Sequence, residues 1–316
     1  MVISLDKTAH LARLKLVLSK NGVGFVSKGK LYLISSAIIY GILPFLTSVA
    51  YRGGVNGITL TFLRSVMSLP LLFAVIKANG HTLKVSARQL EKITVLAVFG
   101  GVMPLLTLYM SYNYISTGLA STLHFIYPLI IILSSAVIYH QRPSRRILSA
   151  VVFVTVGIFM FADINTVSNK IGIVLAVLSG VFYSFYVIYI DRSGLDKMDF
   201  IVLTFYVSLI MSIALFVFAL ISGKLSFDMS PLAWSFSAVI SLAANLGAMP
   251  LFQLGVRLEG AEAAGILSTV EPITSVALGA LLLGESVGAE QIMGGAMILL
   301  GVIIAQRKSD EIHKTA

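Results

Sequence analysis

Ten runs of mainly apolar residues fill this chain, at 30–50, 58–76, 93–112, 118–139, 146–163, 171–190, 199–222, 233–254, 260–283 and 289–306. A helix needs roughly 20 such residues to cross the hydrocarbon layer of a bilayer. The runs do not alternate polar with apolar residues, as membrane β-strands would. The longest connection, 77–92, is too short to hold an independent core. Composition agrees: 57% of residues are hydrophobic and 12% charged, whereas a soluble domain carries about 25% charged residues. Such a chain cannot clothe a water-soluble surface, which excludes a soluble enzyme and a disordered polymer. It also contains no cysteine, so it has neither a disulfide framework nor a Cys-ligated metal site.

The net charge of +9 would ordinarily point to nucleic acid, but the positions of the cations point to topology instead. With the N-terminus placed inside, 19 Lys and Arg fall on the inner side, and Arg52, Lys170 and Lys224 fall outside. Positively charged segments stay on the cytoplasmic side, so both termini are expected there and no nucleic acid partner is. Residues 1–29, with Lys7, Arg13, Lys15, Lys20 and Lys28 around a short apolar run, read as a retained basic tail and not as a signal peptide. Residues 307–316 form the second tail. Gly24 to Lys30 imitates a phosphate-binding loop, but Leu31 replaces the required hydroxyl residue and an apolar span follows at once. ATP hydrolysis is therefore not expected, and no metal or cofactor motif occurs.

The chain also repeats itself. Gly29, Ser36, Tyr40, Leu60-Thr61-Phe62 and Ser65 meet Gly172, Ser179, Tyr183, Leu203-Thr204-Phe205 and Ser208 at an offset of 143 residues. At 144, Ala120, Pro128, Ala136 and Gly157 meet Ala264, Pro272, Ala280 and Gly301. The expected fold is an all-α membrane protein of ten transmembrane helices, built from repeats at 30–163 and 171–306. Because five spans is an odd number, the second repeat must run inverted. Inverted repeats place a site at their interface near the midplane and make alternating access geometrically natural.

Ionisable residues inside spans mark pathways by default. Glu271 lies near mid-depth of the ninth span, immediately before Pro272. A carboxyl there suits reversible protonation in a proton-coupled cycle, or alternatively orders the bundle by pairing with a neighbour. Arg64 sits about 9 Å into the second span at 1.5 Å per residue. Its repeat counterpart, Val207, is apolar, so Arg64 is either a substrate-attracting charge or a snorkelling one. His124 is a candidate proton relay or a packing residue. Tyr40 and Tyr183, at matching repeat positions, and Asn245 and Gln253 are candidate lining groups or interhelical glue. Pro44, Pro128 and Pro272 are expected helix kinks. Small residues four apart, at Ala97/Gly101, Ala176/Gly180, Ala261/Gly265 and Ala280/Gly284, read as close helix packing within one chain. They leave the oligomeric state open.

These features resemble the EamA-type transporters of the drug/metabolite transporter superfamily. The resemblance is carried by Val270 to Glu285, with Glu271-Pro272 and Leu282-Leu283-Gly284-Glu285, by Phe62-Leu63-Arg64, and by Tyr127-Pro128. It covers 30–306 and departs at His140-Gln141, where the family often has Gly-Glu. It implies a multipass plasma-membrane carrier of a prokaryotic cell, a secondary transporter often exporting small metabolites or amino-acid-like solutes. The alternative within the superfamily is a sugar-phosphate or nucleotide-sugar exchanger, which would be expected to show several intramembrane cations. A polytopic membrane enzyme would need clustered acidic, His or Ser groups near one membrane face, and the short connections supply none. The expected partners are a small-molecule substrate and the lipid bilayer.

Overall fold

The computed structural model describes residues 27–111, 114–115, 120, 123–138, 143–160, 169–283 and 288–306. Most of the basic tail, His140-Gln141, Gly284-Glu285 and the C-terminal tail lie outside the described residues. Among the described residues every regular element is a helix. Six helical stretches are long and apolar enough to cross a membrane: Lys28–Arg52, Gly57–Ala78, Ala87–Ser111, Lys170–Ser193, Phe200–Ile221 and Pro231–Leu267. Shorter apolar helices cover Tyr127–Val137, Val270–Leu282 and Ile292–Ala305.

Local chemistry sets where these helices begin and end. Helix α1 (Lys28–Arg52) starts at Ser27, whose hydroxyl accepts from the Lys30 amide, and it continues through Pro44. Asn56 caps α2 (Gly57–Val66) by accepting from Thr59 N. A turn at Met67–Ser68 then separates α2 from α3 (Leu69–Ala78), which has Pro70 in its first turn. The second apolar run is therefore one membrane-length stretch interrupted by a turn. Helix α4 (Ala87–Val95) opens on a reciprocal capping box between Ser86 and Gln89.

A π-helical segment, Leu96–Val102, joins α4 to α5 (Met103–Ser111). Its counterpart, Ala243–Ala248, joins α10 (Pro231–Leu242) to α11 (Met249–Leu267). The Met103 amide reaches back five residues to Val98 O, and the Met249 amide reaches Ala244 O. Pro104 and Pro250 follow directly. A proline ring clashes with the carbonyl four residues back and has no N–H to offer it, and the wider turn relieves both problems. The text Gly101-Val102-Met103-Pro104-Leu105 thus recurs as Gly247-Ala248-Met249-Pro250-Leu251.

Helices α6 (Tyr127–Val137), α7 (Arg145–Met160), α8 (Lys170–Ser193), α9 (Phe200–Ile221), α12 (Val270–Leu283) and α13 (Ala289–Gln306) complete the bundle. Gly194 ends α8 at φ +83°, a conformation that costs glycine little. Gly260 (φ +81°, ψ 172°) kinks α11. Pro128 and Pro272 do not bend continuous helices; each stands in the first turn of a new one, after interruptions at Phe125–Ile126 and Ser268–Thr269. In a first turn the missing N–H costs nothing.

Helix α1 packs on α11 and α12, α8 on α5 and α6, α7 on α13, and α2 on α9. Small residues permit these approaches. A Cβ at Gly157 would stand 2.6 Å from Gly294 O and 2.8 Å from Ile298. At Gly301 it would stand 2.7 Å from both Ala150 O and Val154. Val154 and Ile298 are themselves 144 residues apart, so the two contacts are reciprocal. Outward faces stay apolar, with Ile221, Leu281 and Val137 among the most exposed, as lipid contact requires.

Because backbone atoms bound the space at Gly157 and Gly301, Gly157→Ala or Gly301→Ala is expected to cost roughly 1–3 kcal/mol through overpacking. This is read as a lower Tm of the purified protein in detergent. Gly288→Ala, where a Cβ meets nothing within 4 Å, serves as the control.

Candidate functional site

Helix interruptions converge on the interior of the bundle and bring polar side chains with them. Tyr127 opens α6 and Glu271 lies in the first turn of α12, at positions 144 residues apart. Hydroxyls repair the break before α12: Ser268 Oγ donates to Ala264 O (2.7 Å) and Thr269 Oγ1 to Ile266 O (2.5 Å). Such local side-chain bonds are the usual substitute for lost ladder bonds. Gly41 of α1 seats against this break, since a Cβ there would lie 2.7 Å from Glu271 O. That contact brings the neighbouring Tyr40 close to Glu271.

Arg64, on α2, holds its guanidinium 5.6 Å from the centroid of the Tyr40 ring. It is also within electrostatic reach of Glu271. Among the described residues the ion pairs are His81–Asp199 and Arg192–Asp191, so Arg64 and Glu271 oppose each other without closing a salt bridge. Both side chains are half-buried, as are Tyr40, His124 and Tyr183.

An aromatic wall completes the cluster. The Tyr127 and Tyr183 rings meet edge to face at 4.7 Å, Tyr183 stacks on Tyr186 at 6.0 Å, and Tyr186 stacks on Phe252 at 6.2 Å. His124 lies 5.4 Å from Tyr183 and 5.7 Å from Tyr127. Its Nδ1 is 2.9 Å from Ser179 Oγ, and that hydroxyl donates to Ala176 O (2.6 Å). With the serine proton spent on the carbonyl, Nδ1 carries the hydrogen of this pair, which leaves Nε2 as the acceptor of the neutral ring. Gly100 makes room for Tyr186, because a Cβ there would lie 2.7 Å from Tyr186 Cβ. Gly180 does the same beside His124 O.

Three polar atoms in this wall lack a close hydrogen bond, Tyr127 Oη, Tyr186 Oη and Gln253 Nε2, but Ser268 lies within reach of Tyr127, and Gln253 within reach of Tyr186. Their residues are 1%, 6% and 3% exposed. The buried polar groups of the wall thus pair loosely with one another.

Six of the residues singled out in the sequence therefore come together: Tyr40, Arg64, His124, Tyr183, Gln253 and Glu271. Asn245 stands apart from the aromatic wall and hydrogen-bonds to α2 and to Ser68. Pro44 lies within α1, while Pro128 and Pro272 flank the cluster. Sequence reasoning passed over Tyr127, Tyr186 and Phe252. The repeat offset held a signal for Tyr127, which occupies the place of Glu271.

One end of the bundle is stitched by polar groups. Ser27 Oγ donates to Glu259, and Lys92 Nζ donates to Ser193 O. A cavity of about 180 Å³ opens between Ser135, Asp191, Arg192, Glu259 and Glu262. At the other end Asn56 Nδ2 donates to Lys224 O (2.9 Å) and Ser230 N to Gly53 O (2.9 Å).

Membrane-length apolar helices enclosing a polar interior at helix breaks define a multipass membrane protein. The chain belongs to the EamA-like transporter family, whose profile matches residues 27–162 and again 170–306. This agrees with the drug/metabolite transporter superfamily expected from its residues. An uncharacterized transporter of Synechocystis sp. is 27% identical over 207 residues, 63% of this chain and 62% of that protein. Two uncharacterized transporters of Archaeoglobus fulgidus are 27% identical over 75% of this chain and 84% of theirs, and 25% identical over 89% and 97%. A solved crystal structure superposes with a TM-score of 0.75 at 17% identity, covering 89% of this chain and 98% of its own.

A loosely paired hydroxyl contributes less than the roughly 0.5–1.5 kcal/mol of a full hydrogen bond. Tyr127→Phe and Tyr186→Phe are therefore expected to leave the Tm in detergent nearly unchanged, and a large drop would show that these hydroxyls are tightly bonded.

Proposed function

We propose that this chain is a secondary transporter, an exporter of small metabolites or amino-acid-like solutes, working by proton-coupled alternating access. The observation that carries this reading is Arg64 facing Glu271 across a tyrosine-lined interior without an ion pair. A zwitterion offers a carboxylate to the first and an ammonium to the second, and the aromatic faces favour that ammonium through their quadrupoles. Glu271 is the proton or polar-substrate site, Arg64 the electrostatic element, and His124 with its free Nε2 a relay between Tyr127 and Tyr183.

The scaffold is proposed to be ten spans in two inverted five-helix repeats, 30–163 and 171–306. The double family match, the reciprocal Gly157–Ile298 and Gly301–Val154 contacts and the paired π segments support it. Rocking of one repeat against the other exposes the site alternately to the two sides. The distribution of cations supports cytoplasmic termini, and the bacterial and archaeal relatives support the plasma membrane of a prokaryote. A sugar-phosphate or nucleotide-sugar exchanger fits less well, because among the described residues Arg64 is the one cation at this cluster.

The test is counterflow of radiolabelled L-amino acids in proteoliposomes, with and without an imposed pH gradient. Glu271→Gln is expected to weaken counterflow through loss of the ammonium contact, and the flux that remains is expected to lose its response to the gradient. Arg64→Ala is expected to reduce counterflow about tenfold or more, the worth of one charge-assisted hydrogen bond. Gradient-driven flux that is unchanged in Glu271→Gln would sink the coupling assignment.

A further inference from the structure

At the break between α2 and α3, the Arg64 carbonyl accepts hydrogen bonds from Ser241 Oγ (2.6 Å) and Asn245 Nδ2 (2.6 Å). Asn245 Nδ2 also reaches Ser68 Oγ at 3.0 Å, and Ser68 Oγ donates to Ser65 O (3.2 Å). Both hydrogens of the Asn245 amide are thus spent on the two sides of one interruption. Asn245 lies inside the second π-helical segment, and its residue is 6% exposed. The widened turn that Pro250 requires sets this side chain against α2.

The other half of the chain shows what this contact replaces. By the alignment of the two Met-Pro texts, Phe99 stands where Asn245 does, and at the offset of 143 Met211 stands where Ser68 does. Phe99 has no donor to offer and meets the Phe185 ring at 6.4 Å, while Met211 packs on Gly101, where a Cβ would lie 2.6 Å from its Sδ. There the contact is apolar, the helix α9 runs unbroken from Phe200 to Ile221, and Val207 occupies the place of Arg64. A broken helix, an amide clamp and a charge therefore occur together on one side, and none of the three occurs on the other.

We infer that Asn245, aided by Ser241, is a positioning residue that clamps the α2–α3 break and thereby fixes where Arg64 stands in the site. Its consequence for transport rests on the reading of Arg64 given under the proposed function, but the clamp itself is tested without any substrate. The chain has no cysteine, so a single introduced thiol reports alone.

In the full-length protein in proteoliposomes, the rate at which a small cationic methanethiosulfonate modifies Arg64→Cys is measured alone and combined with Asn245→Leu or Asn245→Asp. Both changes remove the donors at nearly constant size. Loss of the two bonds is expected to shift the rate at position 64 roughly tenfold, as about 1.4 kcal/mol of lost hydrogen bonding does. The rate at Lys170→Cys, at the start of α8, should stay constant. Rates at position 64 that remain within about twofold in both combinations overturn the inference, since buried bonds are worth more than that. Equal shifts at Lys170→Cys also overturn it, because they show a general loosening instead of a local clamp. Failure of amino acid counterflow, by contrast, bears only on the transport reading.

Discussion

Hydrocarbon offers no hydrogen bonds, so every backbone group in a membrane-spanning bundle must be satisfied from within the protein. This constraint governs each irregularity in the chain. Where Pro104 and Pro250 remove a donor, the helix widens into a π turn and the preceding amide reaches back five residues. Where α12 begins, Ser268 and Thr269 turn their hydroxyls onto nearby carbonyls. Where α2 ends, the neighbouring segment supplies Ser241 and Asn245. Each break is thus tied to a partner that repairs it, and the polar groups assembled for repair lie beside the interior cluster.

The two family-matched halves share a framework but differ where charge is concerned. Arg64 answers to Val207, and Glu271 to Tyr127. Small residues and reciprocal contacts such as Gly157–Ile298 and Gly301–Val154 keep the framework alike. The opposite charges were therefore placed on one copy of each element, which gives the interior a direction that two identical halves would lack. A polar solute with two unlike ends is suited to such an interior, and Tyr127, Tyr183, Tyr186 and Phe252 line its flank.

Much of this was legible in the linear chain. Apolar run lengths announced the helices because lipid imposes both length and composition. Glu271, Arg64 and His124 stood out because a charged or titratable group is expensive in that solvent. Other features were hidden. The α2–α3 break was not legible, since the run 58–76 has the length of a single span and Ser68 and Pro70 fall inside it. Pro128 and Pro272 read as kinks, whereas a proline in the first turn of a new helix leaves the same local text. Tyr127 and Tyr186 looked like ordinary aromatic residues, because nothing local distinguishes a buried hydroxyl that bonds closely from one that does not.

By itself the sequence determined the class of protein, its solvent and its internal duplication, since these follow from composition, period and offset along one dimension. Only the tertiary structure decided that Arg64 opposes Glu271, that Tyr40 lies between them, and that Asn245 serves a helix break instead of facing the cluster. Those relations join residues up to 231 positions apart. They depend on which helices touch, and that is set by close packing at small residues such as Gly41 and Gly100 and by the need to pair every interrupted backbone group.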